Sequence, residues 1–244
     1  MRQNVRHLES FYASRLGRAA NNMVLRRLST VWPDLTGRDV LGYGYCYPYV
    51  TPYLDSAKRV VLAMPGAMGA MAQRSSRGVM TCLTESISLP FEDAQFDNVL
   101  VAHGVEEANM LPELLQELWR VTRPEGRIIV IAANRSGLWA RTDRSPFGAG
   151  RPFSRSQLKS ALSDARFIPT LWSGALYIPP VKFLTGSTVL NVTETCGETV
   201  WPGFSGLVLV EAIKRLYAEP SGNAKEEIKR PIFAPKPVNQ SHVE

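Results

Sequence analysis

Glycines at positions 42 and 44 mark the stretch of this sequence in which residue types and spacing first suggest chemistry. They follow a predicted strand that starts near Asp39, and a segment that can form a helix comes after them. A glycine turn between a strand and a helix lets a nucleotide-like ligand lie against backbone that no side chain obstructs. The same spacing is also typical of an ordinary tight turn. The interpretation of the glycine turn as a ligand-binding loop therefore depends on residues farther along the chain.

Polar side chains follow two other predicted strands. Glu85 comes after a strand at 79–84, and His103 directly follows an apolar strand at 98–102. Ligands of open parallel sheets bind at the carboxyl ends of the strands, so both residues are candidates for a ligand site. Each can equally be a side chain of a surface loop. Glu106 and Glu107 are either an acid pair or the start of a helix.

Four tyrosines occupy every second position through the glycine turn, namely Tyr43, Tyr45, Tyr47 and Tyr49. Two interpretations stay open. The rings can wall a pocket for an aromatic or sulfonium group through cation–π contacts, or they can divide between the core and a partner surface. Cys46 and Cys82 are expected to be buried small residues rather than nucleophiles.

Composition and charge exclude several classes of protein. The net charge is +6 and the pI is near 9.4, but the basic residues are dispersed, which argues against a nucleic-acid partner. Three cysteines without paired spacing argue against a disulfide framework and a zinc site, and they indicate a reducing, cytoplasmic compartment. Three scattered histidines suggest no metal centre. No apolar run approaches the roughly 20 residues that span a bilayer.

Strand and helix patterns alternate along the chain. Strands are predicted at 39–41, 59–63, 79–84, 98–102, 127–132, 167–172 and 206–213. Helices are predicted over 4–31 with a break near Gly17, briefly at 49–54, from 67–73, over 111–121, and over 154–165 from a Ser154-x-x-Gln157 capping box. This alternation predicts an α/β fold with a doubly wound, mostly parallel seven-stranded sheet and flanking helices.

Three parts of the chain are expected. Residues 1–34 form an N-terminal helical cap, 35–218 an α/β domain with an insertion near 134–153, and 219–244 a disordered tail that can dock a protein partner. Within the insertion, Trp139 is expected to pack. Arg141 and Arg151 are candidates for binding an anionic acceptor, or they are ordinary surface charges.

Four motifs, in order and at characteristic spacing, carry a resemblance to a known family. They are the glycine turn at 42–44, Leu89-Pro90-Phe91 followed by Phe96-Asp97, Glu117-x-x-Arg120-Val121, and Pro124-Glu-Gly126-Arg127. Across about 35–135 the chain resembles the class I S-adenosylmethionine (SAM) dependent methyltransferases, in particular the type 11 methyltransferase domain. Segments within 137–154 are similar to a bacterial branch of that family with a divergent glycine loop.

The resemblance implies a Rossmann-like methyltransferase fold and SAM as the cofactor. It assigns cofactor binding to Gly42, Tyr43, Gly44, Met64, Glu85 and His103. Glu85 stands where the family has an acid that reads the adenine amino group. Catalytic residues are not assigned, because methyl transfer is an in-line displacement in which positioning does most of the work.

The sequence departs from the family at two places. Gly44 matches the first loop glycine, but Cys46 and Pro48 occupy the next two positions, and Gly42 replaces an acid. Ala63 and Met64 stand where a carboxylate usually binds the ribose. Losing such a charge-assisted hydrogen bond costs about 1.5–3 kcal/mol. The expected function is methyl transfer from SAM to an unknown acceptor, with a catalytically inactive binding or regulatory protein as the alternative.

Overall fold

The computed structural model describes residues 4–75, 78–142, 145–177 and 205–216. Within these ranges seven strands form one sheet: β1 Asp39–Gly44, β2 Arg59–Pro65, β5 Thr81–Thr84, β6 Phe96–Ala102, β7 Thr122–Ala133, β8 Phe167–Ala175 and β9 Leu207–Lys214. Their order in the sheet is β5-β2-β1-β6-β7-β9-β8. β9 is antiparallel to β7 and β8, and the other neighbours are parallel. The predicted mostly parallel seven-stranded sheet is confirmed.

Helices cover both faces of this sheet, as the doubly wound prediction requires. The helices are α1 Val5–Ala13, α2 Arg15–Val31, α3 Tyr47–Val50, α4 Leu111–Val121 and α5 Arg155–Asp164. Successive side chains of a strand point to opposite faces. Val40 of β1 therefore packs in the apolar layer with α1, α2 and α3. Leu41 packs in the layer with α4 and α5.

The predicted turn at 42–44 is wrong, because β1 continues through Gly44. Gly42 pairs with Leu62 of β2 on one side and with Leu100 of β6 on the other. Pairing on both sides holds Gly42 in the strand, and the chain leaves the extended conformation only at Gly44, where φ is +84°. The following α3 is a single turn, short as expected: Pro48 lies in its first turn, where proline is tolerated, and Pro52 comes two residues after its end.

The N-terminal helices break at Ser14 and not near Gly17. Ser14 ends α1 through its backbone N–H, which donates to the carbonyl of Phe11, and its hydroxyl caps α2 by accepting from the N–H of Gly17. Gly17 itself lies inside α2, where an added Cβ would collide with the carbonyl of Phe11. The glycine therefore permits close approach of the two helices.

The helix predicted from 67–73 does not form. Residues 66–68 make a turn, and a two-stranded hairpin of β3 Arg74–Ser75 and β4 Gly78–Val79 follows. Gly69 has φ +78°, which right-handed helices exclude, and the N–H of Val5 donates to the carbonyl of Met68 at 2.9 Å. The strand expected from position 79 consequently starts at Thr81.

Other local predictions are confirmed. α4 covers Leu111–Val121 as predicted, and Ser154 and Gln157 form the capping box of α5. In the ranges given above, no helix is long and apolar enough to cross a membrane. The predicted disordered tail at 219–244 and Cys196 lie outside the described residues.

Candidate functional site

A cavity of about 300 Å³ lies at the carboxyl ends of β2, β5 and β6. Its three walls are residues 65–68 from the last residue of β2, 84–87 from the last residue of β5, and 103–104 with 107–110 after β6. The chain runs from β1 outward through β2 to β5 and then returns to β6 on the other side of β1. The cavity therefore lies near the point where strand order reverses, which is where open α/β sheets bind ligands.

The cavity has an acidic lining in a basic protein. Its ionisable lining residues are Glu85, Glu107 and His103, and its lining includes neither lysine nor arginine. Burial lowers the pKa of His103 to about 3, so this imidazole is neutral at physiological pH. The local charge is therefore negative, although the whole chain carries +6. Such a cavity favours a cationic ligand and disfavours one that carries phosphate groups.

Tyr43 supports the cavity from behind. The residue is fully buried, and its hydroxyl donates to Oγ of Ser86 at 2.8 Å. Burial raises the pKa of Tyr43, which keeps this donor protonated. An added Cβ on Gly104 would lie 2.8 Å from the Tyr43 ring. The tyrosine thus holds the loops after β5 and β6 close together.

Glu117 and Arg120 of α4 fix the segment that follows the β5 wall. A carboxylate oxygen of Glu117 accepts from the N–H of Leu89 at 2.8 Å and from the guanidinium of Arg120 at 2.8 Å. The same guanidinium donates to the carbonyls of Leu89 and Phe91 at 3.0 and 2.8 Å. Hydrogen bonding to Arg120 lowers the pKa of Glu117, so the pair stays ionised. The motifs around 89–91 and 117–121 are therefore parts of one clamp.

Six aromatic rings pack beside the cavity, and we call them the aromatic cluster: Phe11, Tyr12, Tyr45, Tyr49, His103 and Phe147. Tyr12 stacks on Tyr45 at 5.7 Å between ring centroids, and His103 stacks on Phe147 at 4.9 Å. The cluster joins α1 to the segment after β1, the end of β6 and the insertion. α1 therefore crosses the carboxyl edge of the sheet.

His103 of this cluster has an unusual backbone conformation. Its φ is +54°, which non-glycine residues adopt only where the surroundings impose it. Its Nε2 lies 2.7 Å from the hydroxyl oxygen of Tyr12, which lies 2.6 Å from that of Tyr49. Burial raises the pKa of both tyrosines well above the usual value. His103, Tyr12 and Tyr49 thus form a hydrogen-bonded chain of three neutral side chains.

Glu106 is a buried acid behind the loop after β6. Its Oε1 accepts from the N–H of Ala133 at 2.9 Å, whereas its Oε2 has no hydrogen-bond partner within the described part of the chain. Burial raises its pKa to about 7. Neither Glu106 nor Glu107 starts a helix, because α4 begins only at Leu111. The helix-start interpretation of this pair is wrong.

The cavity brings together only some of the predicted site residues. Glu85 and His103 line it, and Tyr43 contacts it through Ser86. Gly42, Gly44 and Met64 do not line it. Gly42 and Gly44 instead let the backbone pack closely, since an added Cβ would lie 2.8 Å from Cys46 Cβ at the first position and collide with the carbonyl of Ala102 at the second. Met64 is fully buried in the core.

The side chains around the glycine turn divide between two environments. Tyr45 and Tyr49 belong to the aromatic cluster, Tyr43 lies on the other face of the sheet, and Tyr47 is half-buried. Cys46 is buried, and burial raises its pKa, which opposes a role as a nucleophile. Trp139 of the insertion is buried against Phe147, as expected. Arg151 lies over the ring of Phe153.

Ser86 and Glu107 line the cavity and Tyr12 contacts its wall through His103, but sequence patterns contained little sign of this for Tyr12 and Ser86. Tyr12 follows the helical stripe of α1, which predicts a core position rather than a contact 91 residues away. Ser86 lies in a polar segment that resembles any loop. Glu107 was recognisable from its position after β6, but the sequence could not separate it from Glu106. Only the packing of the three loops distinguishes these residues from their neighbours.

Known proteins resemble this chain in sequence and in fold. Residues 41–130 match a family model described as a methyltransferase domain. A demethylmenaquinone methyltransferase of Mycolicibacterium gilvum is 34% identical over 80 residues, which are 33% of this chain and 35% of that protein. This chain therefore matches only about a third of the length of that curated relative.

Two solved structures share the fold over most of the chain. A SAM-dependent methyltransferase of Thermotoga maritima, described as a possible histamine N-methyltransferase, has a TM-score of 0.63 at 18% identity and covers 86% of this chain and 96% of its own. A geranyl diphosphate C-methyltransferase of Streptomyces coelicolor, solved with S-adenosylhomocysteine, has a TM-score of 0.55 at 15% identity. The match covers 86% of this chain and 83% of the Streptomyces chain. This likeness confirms the predicted Rossmann-like fold.

Proposed function

We propose that this chain, which carries a methyltransferase domain of the class I fold, transfers a methyl group from SAM to an acceptor. The observation that carries the proposal is the acidic cavity at the carboxyl ends of β2, β5 and β6. SAM joins an adenosine to a sulfonium cation and has no phosphate. A lining with two carboxylates and without lysine or arginine suits that charge, and it disfavours ATP or a nicotinamide dinucleotide.

In this proposal the walls of the cavity bind and orient the cofactor. Glu85 accepts a hydrogen bond from the adenine amino group, and Tyr43 holds Ser86 and its loop in place. Gly42 and Gly44 allow β1 to pack tightly beneath the loops, and His103 forms part of the wall toward α1. When bound, SAM supplies a sulfonium methyl group. These residues contribute chiefly by orientation and by exclusion of water.

The similar proteins differ in the acceptor that their descriptions name. The relative named above acts by its name on a demethylmenaquinone, and the solved structures are described with histamine or geranyl diphosphate. These acceptors differ in chemistry. The similar proteins therefore support methyl transfer as the reaction of this chain, but they do not indicate one acceptor. The aromatic cluster under α1 adjoins the cavity and is the face from which we expect the acceptor to enter.

Calorimetric titration of the purified chain with SAM and with S-adenosylhomocysteine tests the proposal, and ATP is the control ligand. We expect micromolar binding of the first two and no binding of ATP. Binding of SAM weaker than millimolar would contradict the proposal. That outcome would favour the alternative, a binding or regulatory protein without catalysis, which the residues Ala63 and Met64 at the ribose position already suggest.

We also propose that the protein acts in a bacterial cytoplasm. The unpaired cysteine spacing and the resemblance of the insertion to a bacterial branch support it. A protein partner at the 219–244 tail remains a prediction, which a pull-down with and without that segment would test.

A further inference from the structure

The cavity wall that follows β2 has no side chain that can bind a ribose hydroxyl. Its residues are Pro65, Gly66, Ala67 and Met68, none of which carries a polar side chain. The two preceding residues, Ala63 and Met64, are fully buried in the apolar layers. The carboxylate that the family resemblance places here is therefore missing, and no polar neighbour on the same wall replaces it.

The facing wall, after β6, does provide a carboxylate. Glu107 lines the cavity and is half-buried. Its neighbour Glu106 is turned away, because Oε1 of Glu106 accepts from the N–H of Ala133 in β7. Glu107 is thus the member of this acid pair that the cavity can use.

The loop that carries Glu107 is anchored at two points before that residue. His103 is held in the aromatic cluster by Tyr12, and the carbonyl of Glu106 accepts from the N–H of Arg151 at 2.9 Å. Gly150, with φ +77°, allows the insertion to approach, since an added Cβ there would lie 2.8 Å from the same carbonyl oxygen. An anchored loop holds its carboxylate before the ligand arrives, which lowers the entropic cost of binding.

The chemistry of a carboxylate matches the missing contact. A vicinal diol presents two O–H donors, and an ionised carboxylate accepts two hydrogen bonds in a charge-assisted geometry. The other carboxylate of the cavity, Glu85, lies on the separate loop after β5. Two acids on two loops can therefore hold two different parts of one nucleoside.

We propose that Glu107 binds the 2′- and 3′-hydroxyls of the SAM ribose, in place of the absent carboxylate at the end of β2. This inference rests on the proposed function and adds a division of labour within the site. Glu85 recognises the adenine, and Glu107 recognises the sugar. Ribose recognition has accordingly moved from one side of β1 to the other.

The test measures binding of S-adenosylhomocysteine and of its 2′-deoxy analogue to the wild-type chain and to Glu107→Gln by calorimetry. We expect the wild type to prefer the ribose form by about tenfold or more, the usual effect of a charge-assisted hydrogen bond. Glu107→Gln should weaken binding of the ribose form about ten- to a hundredfold and reduce its preference to near unity. The mutation and the missing hydroxyl then act on the same contact.

Controls separate this inference from the proposed function and from misfolding. Glu113→Gln removes an acid of α4 that does not line the cavity and should leave both affinities unchanged. Glu107→Asp keeps the charge and should retain part of the preference. A Glu107→Gln variant that unfolds like the wild type and keeps the full preference for the ribose form overturns the inference, whereas methyl transfer stands. A wild type that binds neither ligand overturns both.

Discussion

The hydroxyl oxygen of Tyr12 lies 2.7 Å from Nε2 of His103, so the N-terminal helix is hydrogen-bonded to the residue that directly follows β6. The same hydroxyl lies 2.6 Å from that of Tyr49. All three side chains are buried. Because the cavity lies beside this contact, α1 is part of the architecture of the site and not only a cover for the core.

Tyr12→Phe tests this link. The variant keeps the ring contacts with Tyr45 and removes the hydroxyl, which leaves Nε2 of His103 and the hydroxyl of Tyr49 without this partner. Burying such groups unpaired costs about 1–3 kcal/mol. Urea denaturation should show this loss in the free energy of unfolding. The half-buried Tyr47 supplies the control, and Tyr47→Phe should stay within about 0.5 kcal/mol.

Glu106 and His103 predict an unusual dependence of stability on pH. The pKa of Glu106 is raised by burial from 4.5 to about 7, so the folded state binds more protons and stability falls as pH rises through that window. The pKa of His103 is lowered by burial from 6.5 to about 3, so stability rises with pH between these values. Between about 4.5 and 6.5 the two slopes oppose each other and the free energy of unfolding should change little.

Glu106→Gln should reveal the rise of stability with pH that His103 causes. The amide keeps an oxygen for the N–H of Ala133 but cannot ionise. In this variant, stability should rise with pH between 4.5 and 6.5, by at most about 1.4 kcal/mol per pH unit. Tyr12, Tyr49 and Glu107 also interact with these two groups, but burial keeps both tyrosines neutral in this range. If the free energy of unfolding depends on pH in the same way in the variant and the wild type, Glu106 is not the group that opposes the slope of His103.

Arg120→Lys tests the clamp on the segment after β5. Lysine keeps the charge but cannot bond Glu117, Leu89 and Phe91 at once, as the planar guanidinium does. We expect stability to fall by about 1.5–3 kcal/mol and affinity for S-adenosylhomocysteine to fall several-fold, since the loop with Glu85 loosens. Arg155→Lys on the exposed start of α5 should change neither quantity. If Arg120→Lys is less stable but binds S-adenosylhomocysteine as tightly as the wild type, the clamp stabilises the fold and does not position the cavity.

Much of the fold could be predicted from local sequence. The apolar runs at 98–102 and 127–132 became β6 and β7, because strands buried on both faces need continuous hydrophobic residues. Glu85 and His103 were found because both follow strands of a parallel sheet, whose carboxyl ends share one edge. These predictions depend only on neighbours in the chain.

The rest depends on tertiary contacts that no local pattern contains. Gly42 and Gly44 have turn-like spacing, but pairing with β2 and β6 keeps Gly42 inside the strand, and only Gly44, which pairs with Ala102 of β6, has a positive φ. The segment after β2 has helix-forming residues, yet Gly69 and the contact with Val5 exclude a helix. Tyr12 enters the site only because α1 folds back across the sheet edge.

Gly44 and Gly37 form a matched pair that separates backbone strain from steric overlap. Both have positive φ, +84° and +73°, so alanine at either position has the same unfavourable left-handed conformation. An added Cβ at Gly37 has no atom within 4 Å, whereas at Gly44 it collides with the carbonyl oxygen of Ala102. That carbonyl also accepts from the N–H of Tyr45 at 2.9 Å and cannot move freely.

Gly37→Ala should therefore cost only the conformational strain, about 1–2 kcal/mol. Gly44→Ala should cost about 2–4 kcal/mol, because overpacking adds to the same strain. Urea denaturation of both variants measures the difference. Titration with S-adenosylhomocysteine should show weaker binding only for Gly44→Ala, since Ala102 leads directly into His103 and the β6 wall of the cavity. If both variants lose the same free energy of unfolding, the backbone around Ala102 can move to accept the added Cβ. Gly44 would then be required only for its positive φ.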